Sequence, residues 1–149
     1  MRNERTLSEV SVEEFIPHRG RMKLIDEIVS VDEKTAVTES IVKQDWPLFE
    51  DNAVSPVTLI ELAAQTAGVC IGWKEAIMKG KDTEGRSGWL VGIKQALFYL
   101  DRIPINSRIR VKSEKSYSLD NYLEVIGVAK IGPKVIGEVK VQIVHPDLD

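Results

Sequence analysis

The sequence is short of the residues on which several kinds of site depend. Its 149 residues include two histidines and one cysteine, and 20 basic against 23 acidic residues leave a net charge of −3. A single cysteine excludes an intrachain disulfide, and no Cys/His cluster has the spacing of a metal site. The basic residues form no patch or stripe of the kind that binds nucleic acid. We therefore expect no metal, no cofactor and no nucleic-acid partner.

Long hydrophobic runs are also missing. No apolar run reaches the roughly 20 residues that a membrane-spanning helix needs, and the N-terminus is charged, unlike a signal peptide. The lone cysteine, Cys70, lies in an apolar stretch, where we expect it to pack as a small hydrophobic residue. These features predict a reduced, cytoplasmic setting without a membrane partner. Length and composition suit one domain over residues 1–149, with an N-terminal segment over residues 1–20.

Alternating and apolar patterns predict strands on both sides of one long helix. Ser55 and Pro56 are a typical helix start, and the helix should extend to about Met78. Its first half is apolar almost all round, which indicates burial on more than one side. We interpret residues 45–54 as irregular. The strand-like segments are residues 22–31, 36–42, 88–100, 108–117, 122–131 and 135–145.

This order of elements predicts the fold. Runs of strands joined by short turns favour an antiparallel sheet, and one helix with so little polar surface needs a sheet that curves around it. The sequence therefore predicts an α+β hotdog fold, in which a curved antiparallel six-stranded sheet wraps around a long central helix. Because such a sheet has edges that need covering, we expect a homodimer joined edge to edge.

One carboxylate, Glu61, stands in the apolar stretch of the predicted helix. Burying an unpaired carboxylate costs several kcal/mol, so the chain keeps Glu61 either because it has a partner or because its proton chemistry is used. A structural pairing with an arginine or with backbone N–H groups remains open. At about 100° per residue, the residues sharing its face are Thr58, Gln65, Gly68 and Gly72.

Three segments carry a family resemblance. They are IPHRGRMKLIDEIVSV (16–31), LIELAAQTAGVCIGW (59–73) and FYLDRIPINSRIRV (98–111). Over residues 16–145 the chain resembles FabA/FabZ-type 3-hydroxyacyl-acyl-carrier-protein dehydratases, and it looks closest to the ApeP-like branch associated with aryl-polyene biosynthesis. The resemblance implies a hotdog fold and the elimination of water from a 3-hydroxyacyl thioester to give a 2-enoyl thioester.

The resemblance also implies roles for site residues, and two of them do not carry over. In the family a histidine ahead of the helix removes the α-proton, a helix carboxylate of the partner subunit assists departure of the hydroxyl, and a glycine N–H polarises the carbonyl. Glu61 matches the carboxylate. The histidine segment is replaced by WPLF at residues 46–49, and Pro56 stands at the glycine position without an N–H, which leaves Val57 as the nearest donor.

Neither histidine of the chain matches the family's catalytic one. His18 lies in a Pro-His-Arg element that resembles the N-terminal element of the family, where the histidine is not catalytic. It is either a structural residue or a relocated catalytic one, and we retain it with Glu61 as a candidate catalytic residue. His145 ends the last predicted strand, and we expect it to be exposed and inert.

Three functions remain open. The chain acts as a dehydratase with Glu61 and His18, as a hotdog thioesterase with Glu61, or as a non-catalytic acyl-chain binder paired with a related dehydratase subunit. Each would bind an acyl thioester of an acyl carrier protein or of coenzyme A. Its cationic contacts would be Lys74, Lys94 or Arg102. The candidate substrate-binding residues are Trp46, Phe49, Val57, Thr58, Gln65 and Ile93.

Overall fold

A large sheet, a small sheet and one long helix make up the described part of the chain, which is residues 12, 16, 23–78 and 89–145 of a computed structural model. The helix α1 is Thr58–Trp73 and continues as a π-helical turn over Lys74–Met78. The strands are β1 (Glu27–Val31), β2 (Thr35–Ile41), β3 (Phe49–Glu50), β4 (Ala53–Val54), β5 (Trp89–Phe98), β6 (Ile103–Pro104), β7 (Arg108–Leu119), β8 (Tyr122–Ile131) and β9 (Lys134–Val144).

The six-stranded sheet has the order β1-β2-β7-β8-β9-β5, and its neighbouring strands are antiparallel. Helix α1 lies against β7, β2, β8 and β9, with its apolar residues in one continuous core with those of the sheet. The predicted hotdog architecture is confirmed. Within the described residues, no helix is both long and apolar enough to cross a membrane.

Two glycines let α1 approach the sheet closely. A Cβ atom at Gly127 of β8 would lie 2.6 Å from the Cβ of Ala63, and one at Gly137 of β9 would lie 2.6 Å from Cδ1 of Leu59. Real Cβ atoms do not approach other carbons so closely. Because these positions lack a Cβ, the N-terminal half of α1 sits directly on β8 and β9.

The segment before the helix is more regular than its sequence pattern indicates. Our prediction of irregular structure over residues 45–54 misses β3 and β4, which form a three-stranded sheet with β6. Asp51 and Asn52 join β3 to β4 with φ values of 51° and 62°. A two-residue hairpin needs positive φ at both central residues, and Asp and Asn tolerate it. The Asp51-Asn52 pair is therefore the sequence feature from which this hairpin could have been predicted.

The first strand begins later than its apolar pattern predicts. β1 starts at Glu27, although the Asp26 N–H still donates to the Glu39 carbonyl of β2 at 3.0 Å. The backbone N–H of Leu24 donates to the side chain of Gln65, and the Asp26 carboxylate accepts from the backbone N–H of Ile41 and from Lys43. The entry to β1 is therefore tied to the helix as well as to β2.

Candidate functional site

Glu61 lies half-buried in the first turns of α1, and a hydrogen bond links it to the core. The Gln65 amide donates from Nε2 to Oε1 of Glu61 at 3.0 Å. Gln65 is fully buried, and its own Oε1 accepts from the backbone N–H of Leu24 at 3.0 Å. Gln65 thus fixes the distance between the Glu61 carboxylate and the chain entering β1. Both residues share one helix face, as their spacing predicts.

Ile16 packs against this face of α1. Ile16 is buried, and its Cγ2 lies 3.1 Å from where a Cβ at Gly68 would be. Gly68 therefore makes room for packing against Ile16. His18, our second catalytic candidate, lies outside the described residues, and so does Arg19.

The helix N-terminus has its backbone donors engaged within the chain. The Val57 N–H donates to Oγ of Ser55 at 3.2 Å, and the Thr58 N–H donates to the Ser55 carbonyl at 3.1 Å. The N–H groups of Leu59 and Ile60 donate to the carbonyls of Pro56 and Val57. The Val57 N–H, which we expected to face a thioester carbonyl, is thus already bonded to Ser55.

The other predicted substrate contacts lie in three different environments. Thr58 is buried, and its hydroxyl donates to the Ser55 carbonyl at 2.8 Å. Trp46 is buried in the core, and Phe49 is partly buried against it. Ile93 lies on the edge strand β5, with 49% of its surface exposed. Their roles toward a substrate stay predictions.

Several polar residues differ from their expected surroundings. His145 is fully buried, so our prediction of an exposed histidine is wrong. It follows β9 directly, and its backbone N–H donates to the carbonyl of Asn121 in the β7–β8 turn, which holds it inside the fold. Arg102 donates to the carbonyl of Glu50, and Lys94 to the Glu124 carboxylate.

The far end of α1 carries a cleft that the sequence pattern did not single out. Its volume is about 560 Å³, and it lies between the β1–β2 turn, the end of the helix and the β7–β8 hairpin. Burial lowers the pKa of Lys115, and the charge of Lys74 adds to this effect. Beside them, burial raises the pKa of the Cys70 thiol to about 11. Cys70 is buried, as expected, and its thiol donates to the carbonyl of Asp32.

Among the described residues, no group of three His, Cys, Asp or Glu side chains is placed to hold a metal ion.

Comparison with known proteins gives the family. The model of the ApeP-like family, described as ApeP dehydratase, matches residues 10–149. The chain belongs to the ApeP-like family. The predicted resemblance is therefore confirmed.

Individual relatives agree with this assignment. The ApeP-like chain is 34% identical over 93 residues to the 3-hydroxyacyl-[acyl-carrier-protein] dehydratase FabZ of Bacillus thuringiensis (strain Al Hakam). That match covers 58% of this chain and 60% of the relative's length. The FabZ of Bacillus cereus (strain B4264) matches to the same extent.

Solved structures share the fold at lower identity. A chain of the dehydratase heterocomplex ApeI:P from Xenorhabdus doucetiae has a TM-score of 0.82, with 17% identity and 93% of each chain covered. Cj0977, a sigma28-regulated virulence protein from Campylobacter jejuni, has a TM-score of 0.71, with 16% identity over 95% of this chain and 90% of that one. At these identities the likeness shows the fold.

Replacing Gln65 with leucine in this ApeP-like chain tests the link between Glu61 and the entry to β1. The change leaves the buried Leu24 N–H without its acceptor, so we expect a loss of about 1–3 kcal/mol in the free energy of unfolding. Gln142→Leu, a partly exposed amide that donates to the Tyr122 hydroxyl, should change stability by about 0.5 kcal/mol or less. Denaturant unfolding measures both, and equal effects would contradict the link.

Proposed function

We propose that this chain contributes Glu61 to a dehydratase site for 3-hydroxyacyl thioesters, and that a related subunit contributes the histidine. The observation that carries the proposal is the mismatch within this chain. Glu61 is positioned by a buried glutamine on the helix face, whereas residues 46–49 hold no histidine and the segment between Arg19 and Pro133 has none. One half of an acid–base pair is present at its family position, and we infer that the related subunit supplies the other half.

Relatives support a site that is shared between two subunits. FabZ relatives are named as 3-hydroxyacyl-acyl-carrier-protein dehydratases, which supports an acyl thioester as ligand. The ApeI:P assembly is described as a dehydratase heterocomplex, which supports a second, related subunit. The chain spans 60% of the length of the curated FabZ relatives it matches, so activity, substrate and partner are proposals for it.

Strand β5 is the surface through which we propose that the subunits pair. It stands at the edge of the large sheet and is bonded to β9 on one side. Trp89, Val91 and Ile93 expose about half or more of their surface, and a single sheet edge with this much apolar surface favours a partner strand. A homodimer through the same edge is the alternative.

The proposal assigns substrate contacts as well. The acyl thioester would enter beside Glu61, with Val57, Thr58 and Gln65 near its polar end and Trp46, Phe49 and Ile93 along its apolar chain. His18 is either structural or an assisting proton donor. No cofactor is required for this elimination, and the setting we propose is the reduced cytoplasm.

The helix N-terminus favours a second candidate, a subunit that binds acyl chains without catalysing. Pro56 provides no N–H, and the Val57 N–H is bonded to Ser55. A site without a free donor for the carbonyl oxygen lacks a contribution that is typically worth about 10²–10³ in rate. In this form the subunit would stabilise its partner and bind the acyl chain, and Glu61 would take no part in catalysis.

A reconstitution assay tests the shared site. Formation of 2-enoyl product from 3-hydroxyacyl thioesters is measured for this chain alone, for a histidine-bearing FabZ-type subunit of the same organism alone, and for the mixture. We expect the chain alone to be inactive and the mixture to exceed the second subunit alone. Full activity of this chain without a partner would contradict the shared site.

Ile93→Glu tests the β5 pairing. Pairing of β5 with a partner strand would desolvate a carboxylate at position 93 and leave it without a partner. Light scattering should therefore show monomers where the unchanged chain forms a dimer with itself or with the related subunit. Lys134→Glu, an exposed change on β9, serves as the control and should pair normally. Unchanged pairing of Ile93→Glu would exclude β5 as the interface.

A further inference from the structure

Lys115 occupies an unusual position in β7. Along this strand Ile109, Val111 and Ser113 alternate into the buried interior, and the next residue of the same register is Lys115. It is partly buried rather than exposed. A long cation on the core side of a strand is costly unless water or a counter-charge reaches it. What reaches Lys115 is the cleft of about 560 Å³ at the end of α1.

The lysines of this cleft differ in their partners. Lys34 pairs with Glu114 at 3.6 Å. Among the residues that the structure describes, the ammonium groups of Lys74 and Lys115 have no ion pair or hydrogen bond. They are close enough for the charge of Lys74 to lower the pKa of Lys115, in addition to the larger effect of burial. Two cations that repel each other inside one cleft indicate a site for an anion.

Three carboxylates also line the cleft, and within the described residues none of them forms an ion pair with Lys74 or Lys115. Oδ1 of Asp32 accepts from the backbone N–H groups of Lys34 and Thr35 at 2.8 Å each, which closes the β1–β2 turn. Burial lowers the pKa of Lys115, and this effect outweighs the charges of Cys70, Glu33 and Asp32, which raise it. Asp120 lines the cleft at the β7–β8 turn, and Ser118 adds a hydroxyl donor.

We propose that this cleft binds a small phosphate-bearing anion, a phosphate ester or a diphosphate, with Lys74 and Lys115 as its cationic contacts. Two ammonium groups match the two charges of a phosphate dianion better than the single charge of a carboxylate. The site lies at the opposite end of α1 from Glu61, about 20 Å along the helix at 1.5 Å per residue. It is therefore separate from the proposed thioester site and does not depend on that function.

Titration of the full chain with pyrophosphate, followed by two-dimensional amide NMR, tests the proposal. We expect saturable shifts at the residues of the cleft and a rise in the side-chain pKa of Lys115 as the anion binds. Coenzyme A and pantetheine form two further arms, since the first carries phosphates and the second none. Tighter binding of coenzyme A than of pyrophosphate identifies a nucleotide-bearing ligand, equal binding identifies a free phosphate anion, and pantetheine should not shift the cleft.

Charge-matched variants make the result specific. Lys74→Met and Lys115→Met should each weaken pyrophosphate binding about tenfold, since hydrogen bonds to charged groups are worth at least that factor. Lys130→Met with Lys134→Met removes the same charge from two exposed positions elsewhere and should bind as the unchanged chain does. The site would be overturned if pyrophosphate gave no saturable shifts, or if the double variant Lys74→Met/Lys115→Met bound pyrophosphate as the unchanged chain does. It would also be overturned if the lysine variants lost stability while the unchanged chain did not bind pyrophosphate.

Discussion

Glu61→Gln in the reconstituted pair should lower the rate of 3-hydroxyacyl thioester dehydration by about 10²–10⁴, the usual contribution of a general acid–base group. Glutamine keeps the size of the side chain and can still accept from Nε2 of Gln65, where the Glu61 carboxylate accepts at 3.0 Å. What it loses is the carboxylate's capacity to hold and release a proton. The hydroxyl of the substrate then has to leave without assistance.

The measurement is the initial rate of enoyl product formation by the mixed subunits, with pairing checked by light scattering on the same samples. Glu114→Gln is the matched control, because it removes a carboxylate from β7 that pairs with Lys34 far from α1's first turns. Its rate should equal that of the unchanged pair. If Glu61→Gln pairs normally and keeps the full rate, Glu61 is not an acid–base group, and the acyl-chain-binding subunit becomes the better explanation.

Sequence patterns predicted the parts of the fold that burial determines. The alternation from Arg108 to Lys112 identified β7, because a strand with one buried face repeats every two residues. The apolar stretch of α1 identified the central helix, because a helix that is buried on more than one side is apolar almost all round. Its first α-helical residue is Thr58 rather than the predicted Pro56, since the carbonyls of Ser55 and Pro56 accept short-range bonds that tighten the entry to the helix.

Contacts between distant segments were not predictable from these patterns. The bond from the Leu24 N–H to Gln65 spans 41 positions, and a local pattern contains no information about which donor a buried glutamine finds. His145 was misjudged for a similar reason, because proximity to the end of a strand says nothing about the β7–β8 turn that encloses it. At the candidate site, the face shared by Glu61 and Gln65 follows from helical periodicity, whereas its covering by Ile16 does not.

The position of Lys115 in the cleft was also not predictable from the sequence pattern. In the sequence, Lys115 continues a polar run, Lys112 to Ser118, that is typical of a solvated strand. Its register is set by the pairing of β7 with β2 and β8, which turns Lys115 toward the end of the helix. A one-residue difference in register would place it on the outer face. Its significance therefore depends on tertiary pairing.

Gly127→Ala should destabilise the chain by about 1–3 kcal/mol, the usual cost of overpacking a core. Alanine in a strand normally gains stability over glycine by about 0.5–1 kcal/mol, so the sign depends on the space available. The added Cβ would lie 2.6 Å from the Cβ of Ala63 and 3.3 Å from Cγ2 of Val139. The Ala63 Cβ is fixed to the helix backbone and cannot rotate away, so either α1 or β8 must move.

Gly92→Ala is the matched control, because the new Cβ would meet the amide end of Gln142, which is flexible and can swing aside. We expect its effect to stay within about 0.5 kcal/mol. A second-site change then isolates the contact at Gly127. Ala63→Gly alone should cost about 1 kcal/mol, the penalty for glycine inside a helix, but in the Gly127→Ala background it removes the obstructing Cβ.

The double variant should therefore be more stable than the sum of the two single effects predicts, with a coupling energy of about 1 kcal/mol or more. Denaturant unfolding of the four proteins gives this energy directly. An additive cycle, or a Gly127→Ala variant as stable as the unchanged chain, would mean that α1 does not rest on β8 at Gly127. The position of Glu61 depends on this contact, because Ala63 and Glu61 belong to the same turn of α1 and move together with it.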